Sequence, residues 1–485
     1  MLLLRQARIV TRHRQCARLR YTVSSSTWRR NLLTLAIESS CDDTSVALVE
    51  KLNNPDQSVT AKVHFLQNIT ANTQKYRGIH PIETLLSHQE HLAKLIQSSL
   101  ESLPLDQVQQ GPSEDGESPA GRRRLPDFIS ATRGPGMRSN LSVGLDTAKG
   151  LAVAWQIPLV GVHHMQAHLL TPRLVSALKG GLDDTGPTTV QPEFPFISML
   201  ISGGHSLMAH SKSLLDHEIL ATTVDIGMGT ALDKAARPIL PQSILESTTS
   251  TMYGKLLEQF AFPNGPSDYA DYQPPKTRGE ETEQRESKWG WSITSPFANT
   301  RELKLSFANV ESTVTRIMTA KKDAGVEVSN DEKIDLAREV MRVCFEHLAS
   351  RMIIALEGLK GQPHIPSSQQ KRLATRHRLY RSSSRHDKTR TLVLSGGVAA
   401  NGFLMKVLRS FLDVRGFEHI QIITPPPVLC TDNAAMIGWA GLEMYEAGWR
   451  TDLSAKAIRN WTLDPQQPDG GILGPDGWIN QDPAT

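Results

Sequence analysis

The chain has 485 residues, 39% hydrophobic and 21% charged, with 53 basic side chains against 50 acidic ones. That is ordinary soluble composition with enough chain for two core-bearing domains. No apolar run approaches the length of a membrane-crossing helix, so no membrane insertion is expected. Outside the first thirty residues the cysteines are Cys41, Cys344 and Cys430, widely spaced and without a C-x-x-C pair. This argues against a disulfide framework or a thiolate zinc site and fits a reducing compartment.

The N-terminus differs from the rest. Met1 to Ile37 contains no Asp or Glu, while Arg5, Arg8, Arg12, Arg14, Arg18, Arg20, Arg29 and Arg30 are spread among Leu, Val and Ser. An arginine-rich, acid-free leader reads as a mitochondrial transit peptide, expected over 1–30. A basic arm for nucleic acid is the alternative. Without those eight arginines 45 basic residues face 50 acidic ones, so any nucleic-acid binding must rest on local patches.

Leu32–Glu50 has two β-rich runs joined by a polar turn holding Asp42 and Asp43, the pattern of a hairpin. A strand is expected over Val63–Ile69 and a helix over Thr84–Leu103, with His88 packed on its apolar face. Asp106–Pro126 reads as a polar surface insertion. Phe128–Thr132 then runs as a strand into Arg133-Gly134-Pro135-Gly136 and a helix, an α/β unit. Pro158–Val162 delivers His163-His164-Met165-Gln166-Ala167-His168 to a helix start, where His164 and His168 lie one turn apart and can reach one divalent ion or simply pack.

Phe196–Ser206 carries an apolar strand into Ser202-Gly203-Gly204. Thr391–Asn401 repeats the pattern with Ser395-Gly396-Gly397, nearly two hundred residues later. Glycine pairs after buried strands let backbone N–H groups approach an anion, and two such turns facing each other can hold the two ends of one nucleotide. Between them, Gly227–Arg237 enters a helix bearing Asp233 and Lys234. Asp233 suits a ribose hydroxyl or a surface ion pair. Pro263–Trp291 looks like a long excursion, and Asp331–Leu359 like an amphipathic structural helix. Gln369–Arg390 is dense in Lys and Arg, either a disordered loop or an RNA-facing arm. Finally Thr431 and Asp432 precede the last core helix, where Asp432 either caps it or binds an ion.

The series IESSCDDTSVAL, TRGPG, HHMQAH, LISGGHS, LDKAAR, SGGVAAN and CTDNAAMIGWAG, in this order, resembles the tRNA adenosine threonylcarbamoyltransferases, the TsaD family, and the basic leader resembles its mitochondrial stand-alone branch. The resemblance covers about Leu32 to Leu453. It implies an α/β, duplicated actin-like ATPase (ASKHA) fold with two lobes: 31–165 completed by a C-terminal helix in 431–455, and 166–430 with polar insertions near 262–295 and 361–390, leaving 456–485 as a tail. It also implies one divalent metal ion per subunit, of unspecified identity, on His164, His168 and Asp432. Substrate-binding positions carried over are Leu200, Ile201, Ser202, Gly203, Gly204, Asp233, Gly254, Ala400 and Asn401, with Asp42 and Asp43 as the catalytic acidic pair.

The implied reaction moves a threonylcarbamoyl group from threonylcarbamoyl-AMP to the N6 amine of the adenosine beside the anticodon, at position 37 of tRNAs reading ANN codons. The implied setting is the mitochondrial matrix, with a threonylcarbamoyl-AMP synthase as supplier, mitochondrial tRNA as acceptor and a homodimer as the assembly. Departures from the family pattern are Asp43 for Glu, Thr230 for Glu, a shortened turn at Tyr253-Gly254-Lys255, and Asn309 for Gly. Rival readings are a metallopeptidase, an actin-like ATPase or kinase, and a non-catalytic scaffold. A peptidase of the HExxH kind needs Glu after the first His, where this chain has Met165. The ATPase has no need of the two histidines and Asp432, and a scaffold has no reason to keep all three.

Overall fold

The computed structural model describes residues 31–481 apart from 55, 57, 77–78, 106–121, 180–188, 249–252 and 361–388. The expected transit peptide, most of Asp106–Pro126 and nearly all of the basic stretch in the 361–390 insertion lie outside the described residues.

The opening alternation folds as a meander: β1 (Leu32–Glu38), β2 (Asp43–Asn53) and β3 (Val59–Thr70) pair antiparallel in sequence. Helix α1 (Pro81–Leu100) follows. Then come two strand–helix units, β4 (Phe128–Gly134) with α2 (Arg138–Trp155) and β5 (Leu159–His163) with α3 (His164–Lys179). Their strands join β1 in parallel, giving the order β3-β2-β1-β4-β5.

The second half repeats this plan. A meander of β6 (Phe196–Ile201), β7 (Ser206–Ser211) and β8 (His217–Thr223) leads into a helical block: α4 (Met228–Ile239), α5 (Gln242–Ser247), α6 (Tyr253–Ala261), α7 (Ala308–Asp323) and α8 (Asn330–Leu359), with the two-residue β9 (Lys304–Leu305) before α7. Strands β10 (Thr391–Ser395) and β11 (Gln421–Ile423), joined by α9 (Gly402–Val414), complete the order β11-β10-β6-β7-β8-β9. Read from the third meander strand, both sheets run three, two, one, four, five. The topology is the duplicated actin-like architecture that the resemblance implied.

Two helices lie between the sheets. Alongside α3, α11 (Ala434–Glu446) packs Met436 and Trp439 into a core shared by Ala36 and Val49 of the first sheet and Leu200 and Val393 of the second. Glycine is needed at Gly441, because an added Cβ would meet Ser130 Oγ of β4 at 2.1 Å.

The second half of the long helix α8 departs from its amphipathic reading. From Val343 to Leu356 every residue is buried, so no solvent stripe remains. The polar residues that look solvent-facing in the sequence serve the Pro263–Trp291 excursion and the segment after it instead. Glu346 accepts from the Tyr272 hydroxyl at 3.0 Å, and Arg351 donates to the Glu302 carbonyl at 2.7 Å. The excursion is bound to α8 rather than loose, with the Trp291 indole N–H on Glu332 at 3.1 Å and that of Trp289 on Asp335 at 2.9 Å.

Candidate functional site

β5 passes directly into α3, which puts His164 and His168 on one face at the sheet edge. The short turn α10 (Pro427–Cys430) leads to α11, whose N-cap is Asn433, accepting from Met436 N–H at 3.1 Å. Asp432 is thereby spared capping, one of its two expected roles. Its Oδ1 lies 3.0 Å from His168 Nε2 and 3.6 Å from His164 Nε2. The three donor atoms fall within 4.8 Å of one another, which no other group of His, Cys, Asp or Glu achieves among the described residues. Two imidazoles and a carboxylate suit zinc, iron or manganese. The donor set fits a divalent cation.

The charges agree. Burial works against a charged His164, yet Asp432 and then Glu38 outweigh it and raise the imidazole from 6.5 to about 9. Burial likewise opposes ionisation of Asp432, but His164 and His168 hold it well below the usual carboxylate range. The imidazolium of His164 thus stands between two carboxylates, Asp432 and Glu38.

Behind His164 stands Glu38, fully buried at the end of β1. Its Oε1 accepts from Ser40 N–H at 2.6 Å, and its Oε2 accepts from the Thr132 hydroxyl at 2.5 Å and lies 3.2 Å from His164 Nδ1. Sequence reasoning missed Glu38. Its signal is a charged residue closing the apolar run LLTLAI, where a solvent-exposed strand end is the ordinary reading.

Asp42 and Asp43 sit on the β1–β2 turn beside this cluster. Burial lifts the Asp43 carboxyl from 3.8 to about 7, opposed by the Thr70 hydroxyl that donates to it and reinforced by Asp42, Asp432 and Glu38. The turn is braced from below. His88 bridges Thr44 Oγ1 at 2.8 Å and the Cys41 carbonyl at 3.0 Å, packed as expected, and Asn140 donates to the same carbonyl at 2.7 Å.

The two Ser-Gly-Gly turns do not face each other across a cleft. β6 and β10 are parallel neighbours with Ser395 level with Leu200, so both turns leave one sheet side by side. The first-sheet counterparts are Ser39–Asp42 after β1 and Arg133–Gly136 at the end of β4. A local motif reports a strand followed by glycine, whereas sheet membership is decided by long-range pairing. At Gly396 φ is +90° and an added Cβ would lie 2.5 Å from the Ile201 carbonyl oxygen, so the turns touch through their backbones.

Leu200 and Ile201 bury their side chains and offer a ligand only main chain, whereas Gly203 and Gly204 border open space. Thr230, one of the departures, anchors this turn by donating its hydroxyl to the Gly203 carbonyl at 2.6 Å. Gly254 N–H donates to Asp233 Oδ1 at 2.6 Å, so those two candidates meet. Asn401 caps α9, accepting from Leu404 N–H at 2.9 Å, and Ala400 is exposed beside it. The Gly397–Ala400 turn rests against α4 and α10, and α10 also rests against α3. One short helix therefore separates the glycine platform from the His/Asp cluster.

The C-terminal stretch backs the cluster from outside. His163 Nε2 lies 3.1 Å from the Trp461 carbonyl with the two rings 4.6 Å apart, and Ile458 N–H donates to the Arg133 carbonyl at 2.8 Å.

Residues 123–439 match the family model described as tRNA N6-adenosine threonylcarbamoyltransferase. The chain is 33% identical over 464 residues to the mitochondrial tRNA N6-adenosine threonylcarbamoyltransferase of Schizosaccharomyces pombe, covering 93% of this chain and 90% of that one. It is 27% identical over 433 residues to the tRNA N6-adenosine threonylcarbamoyltransferase of Zymomonas mobilis, covering 89% and 92% respectively. The chain belongs to the tRNA N6-adenosine threonylcarbamoyltransferase family.

Proposed function

We propose that this enzyme transfers the threonylcarbamoyl group of threonylcarbamoyl-AMP to the N6 amine of adenosine 37 in mitochondrial tRNAs reading ANN codons. The observation that carries the reading is the meeting of His164, His168 and Asp432 beside the glycine platform, in a chain of this family. Those three residues would hold one divalent ion, which would supply Lewis-acid polarisation of the bound adenylate.

The N–H groups of the Ser202–Gly204 turn, with main chain from Leu200 and Ile201, take the adenylate phosphate. Asp233, Gly254, Ala400 and Asn401 orient its ribose and base. Holding a weakly nucleophilic aromatic amine against the carbonyl supplies much of the acceleration. As the N–C bond forms and the C–O bond to AMP breaks, the amine proton passes to Asp43, with Asp42 steering the threonyl group. A carboxyl near 7 is well matched to accepting a proton at neutral pH. If Asp43→Ala turns over normally with metal bound, this assignment is wrong.

The lobes are 31–165 with 431–455, and 166–430. The leader 1–30 directs the protein to mitochondria, as the mitochondrial name of the Schizosaccharomyces pombe relative supports, and the matrix is its destination there. It works as a homodimer supplied by a threonylcarbamoyl-AMP synthase. The test is reconstitution of the chain lacking 1–30 with that synthase, threonine, bicarbonate, ATP and an ANN-reading tRNA. Digested RNA is examined by mass spectrometry for threonylcarbamoyladenosine, beside His164→Ala and Asp432→Ala. Product from wild type alone supports the transferase and its metal ligands. Sustained ATP turnover without tRNA and without product overturns it.

A further inference from the structure

We propose that Glu38 is a positioning residue that fixes which nitrogen of His164 faces the cation. The inference rests on the reading of His164 as a metal ligand. His164 Nδ1 has two neighbours, Ser40 Oγ and Glu38 Oε2, each at 3.2 Å. A hydroxyl can donate or accept, so Ser40 leaves the tautomer open. An ionised carboxylate only accepts. Glu38 therefore draws the imidazole proton to Nδ1 and leaves the Nε2 lone pair directed at Asp432 and the cation position, 3.6 Å from Asp432 Oδ1. His168 has no such partner, since its buried Nδ1 is unbonded within the protein. The two histidines are unequal: one is set by a buried acid, the other by its helix alone.

Glu38 is itself locked. Ser40 N–H can only donate and lies 2.6 Å from Oε1, while the Thr132 hydroxyl is 2.5 Å from Oε2. This lock gives Glu38→Gln a defined consequence. The amide oxygen must take the place beside Ser40 N–H, because a donor there would meet a donor. The amide NH2 is then turned toward His164 Nδ1 and favours the tautomer protonated at Nε2, which cannot bind a cation. The substitution keeps shape and volume and reverses the hydrogen bonds at Oε2: the one to His164 and the one from Thr132, whose hydroxyl can turn to accept.

The experiment uses the chain lacking 1–30 with Zn2+ as probe. Affinity is measured by chelator competition, and the imidazole nitrogens are assigned by two-dimensional 15N–1H NMR. Wild type loaded with Zn2+ should show His164 protonated at Nδ1; a bare Nδ1 overturns the proposal whether or not any variant folds. Glu38→Gln should bind Zn2+ about 10- to 100-fold more weakly while still unfolding in one cooperative transition, and undiminished affinity likewise overturns it. His164→Ala run in parallel separates the two readings. If it too keeps Zn2+, the ligand assignment fails; if it alone loses Zn2+, only the role of Glu38 fails.

Discussion

Removing the His164 imidazole from the metal-free protein gives a pH-dependent stability change whose size follows from the site. A unit charge pair 3.6 Å apart attracts by about 5 kcal/mol at an effective dielectric near 20, and burial takes part of this back. What remains raises His164 from 6.5 to about 9, equivalent to about 3 kcal/mol. The folded state keeps a proton that the unfolded chain releases, so this stability is fully present below pH 6.5 and is lost as pH rises through 9. Urea unfolding of chelator-treated wild type and His164→Gln would be followed from about pH 6 to about pH 9.5, over which the difference between them should shrink by about 3 kcal/mol. Parallel stability curves for the two proteins would refute the reasoning. The same proton must leave before a cation enters, so Zn2+ affinity of wild type should climb about tenfold per pH unit between 7 and 9.

Other perturbations have equally defined outcomes. Gly396→Ala forces a side chain into φ +90° against the Ile201 carbonyl; it should lower stability by about 1–3 kcal/mol and abolish adenylate binding, read by thermal shift and calorimetry. Thr230→Val removes the hydroxyl on Gly203 and should raise KM for the adenylate donor several-fold, with kcat nearly unchanged in steady-state assays. Trp461→Ala empties the buried place against His163 and should cost about 3–5 kcal/mol, seen in chemical denaturation. Dialysis against chelator should stop product formation, and re-addition of zinc, iron or manganese in turn should restore it with the native ion.

Much of the fold is legible locally because its units are local. The Leu32–Glu50 alternation, the strand–glycine–helix units and the His164/His168 spacing each lie within about twenty residues, where side-chain period decides the element. Partner choice is different. Nothing in FISMLISGG or TLVLSGG states that the two strands are neighbours, so the glycine turns read as opposed when they are adjacent. Glu38 was hidden for a related reason: a lone Glu at a strand end gains meaning only from Thr132 and His164, roughly a hundred residues away. Helix α8 misled in the opposite sense, because Glu346 and Arg351 are polar yet find buried partners in the excursion and the segment after it.

The duplication also decides where the cation candidates stand. His164 follows β5, the edge strand of the first sheet, and Asp432 comes after β11, its counterpart at the edge of the second, so each repeat contributes from the same place in its plan. His168 and Asp432 are separated by 264 positions along the chain. An ion held by both would tie two stretches far apart in the sequence at the place where α3 and α11 pack together. If the adenylate strengthens the hold on that ion, thermodynamic reciprocity requires the ion to strengthen the hold on the adenylate by the same factor. Paired titrations of Zn2+ and an adenylate analogue, each with and without the other, measure that factor directly.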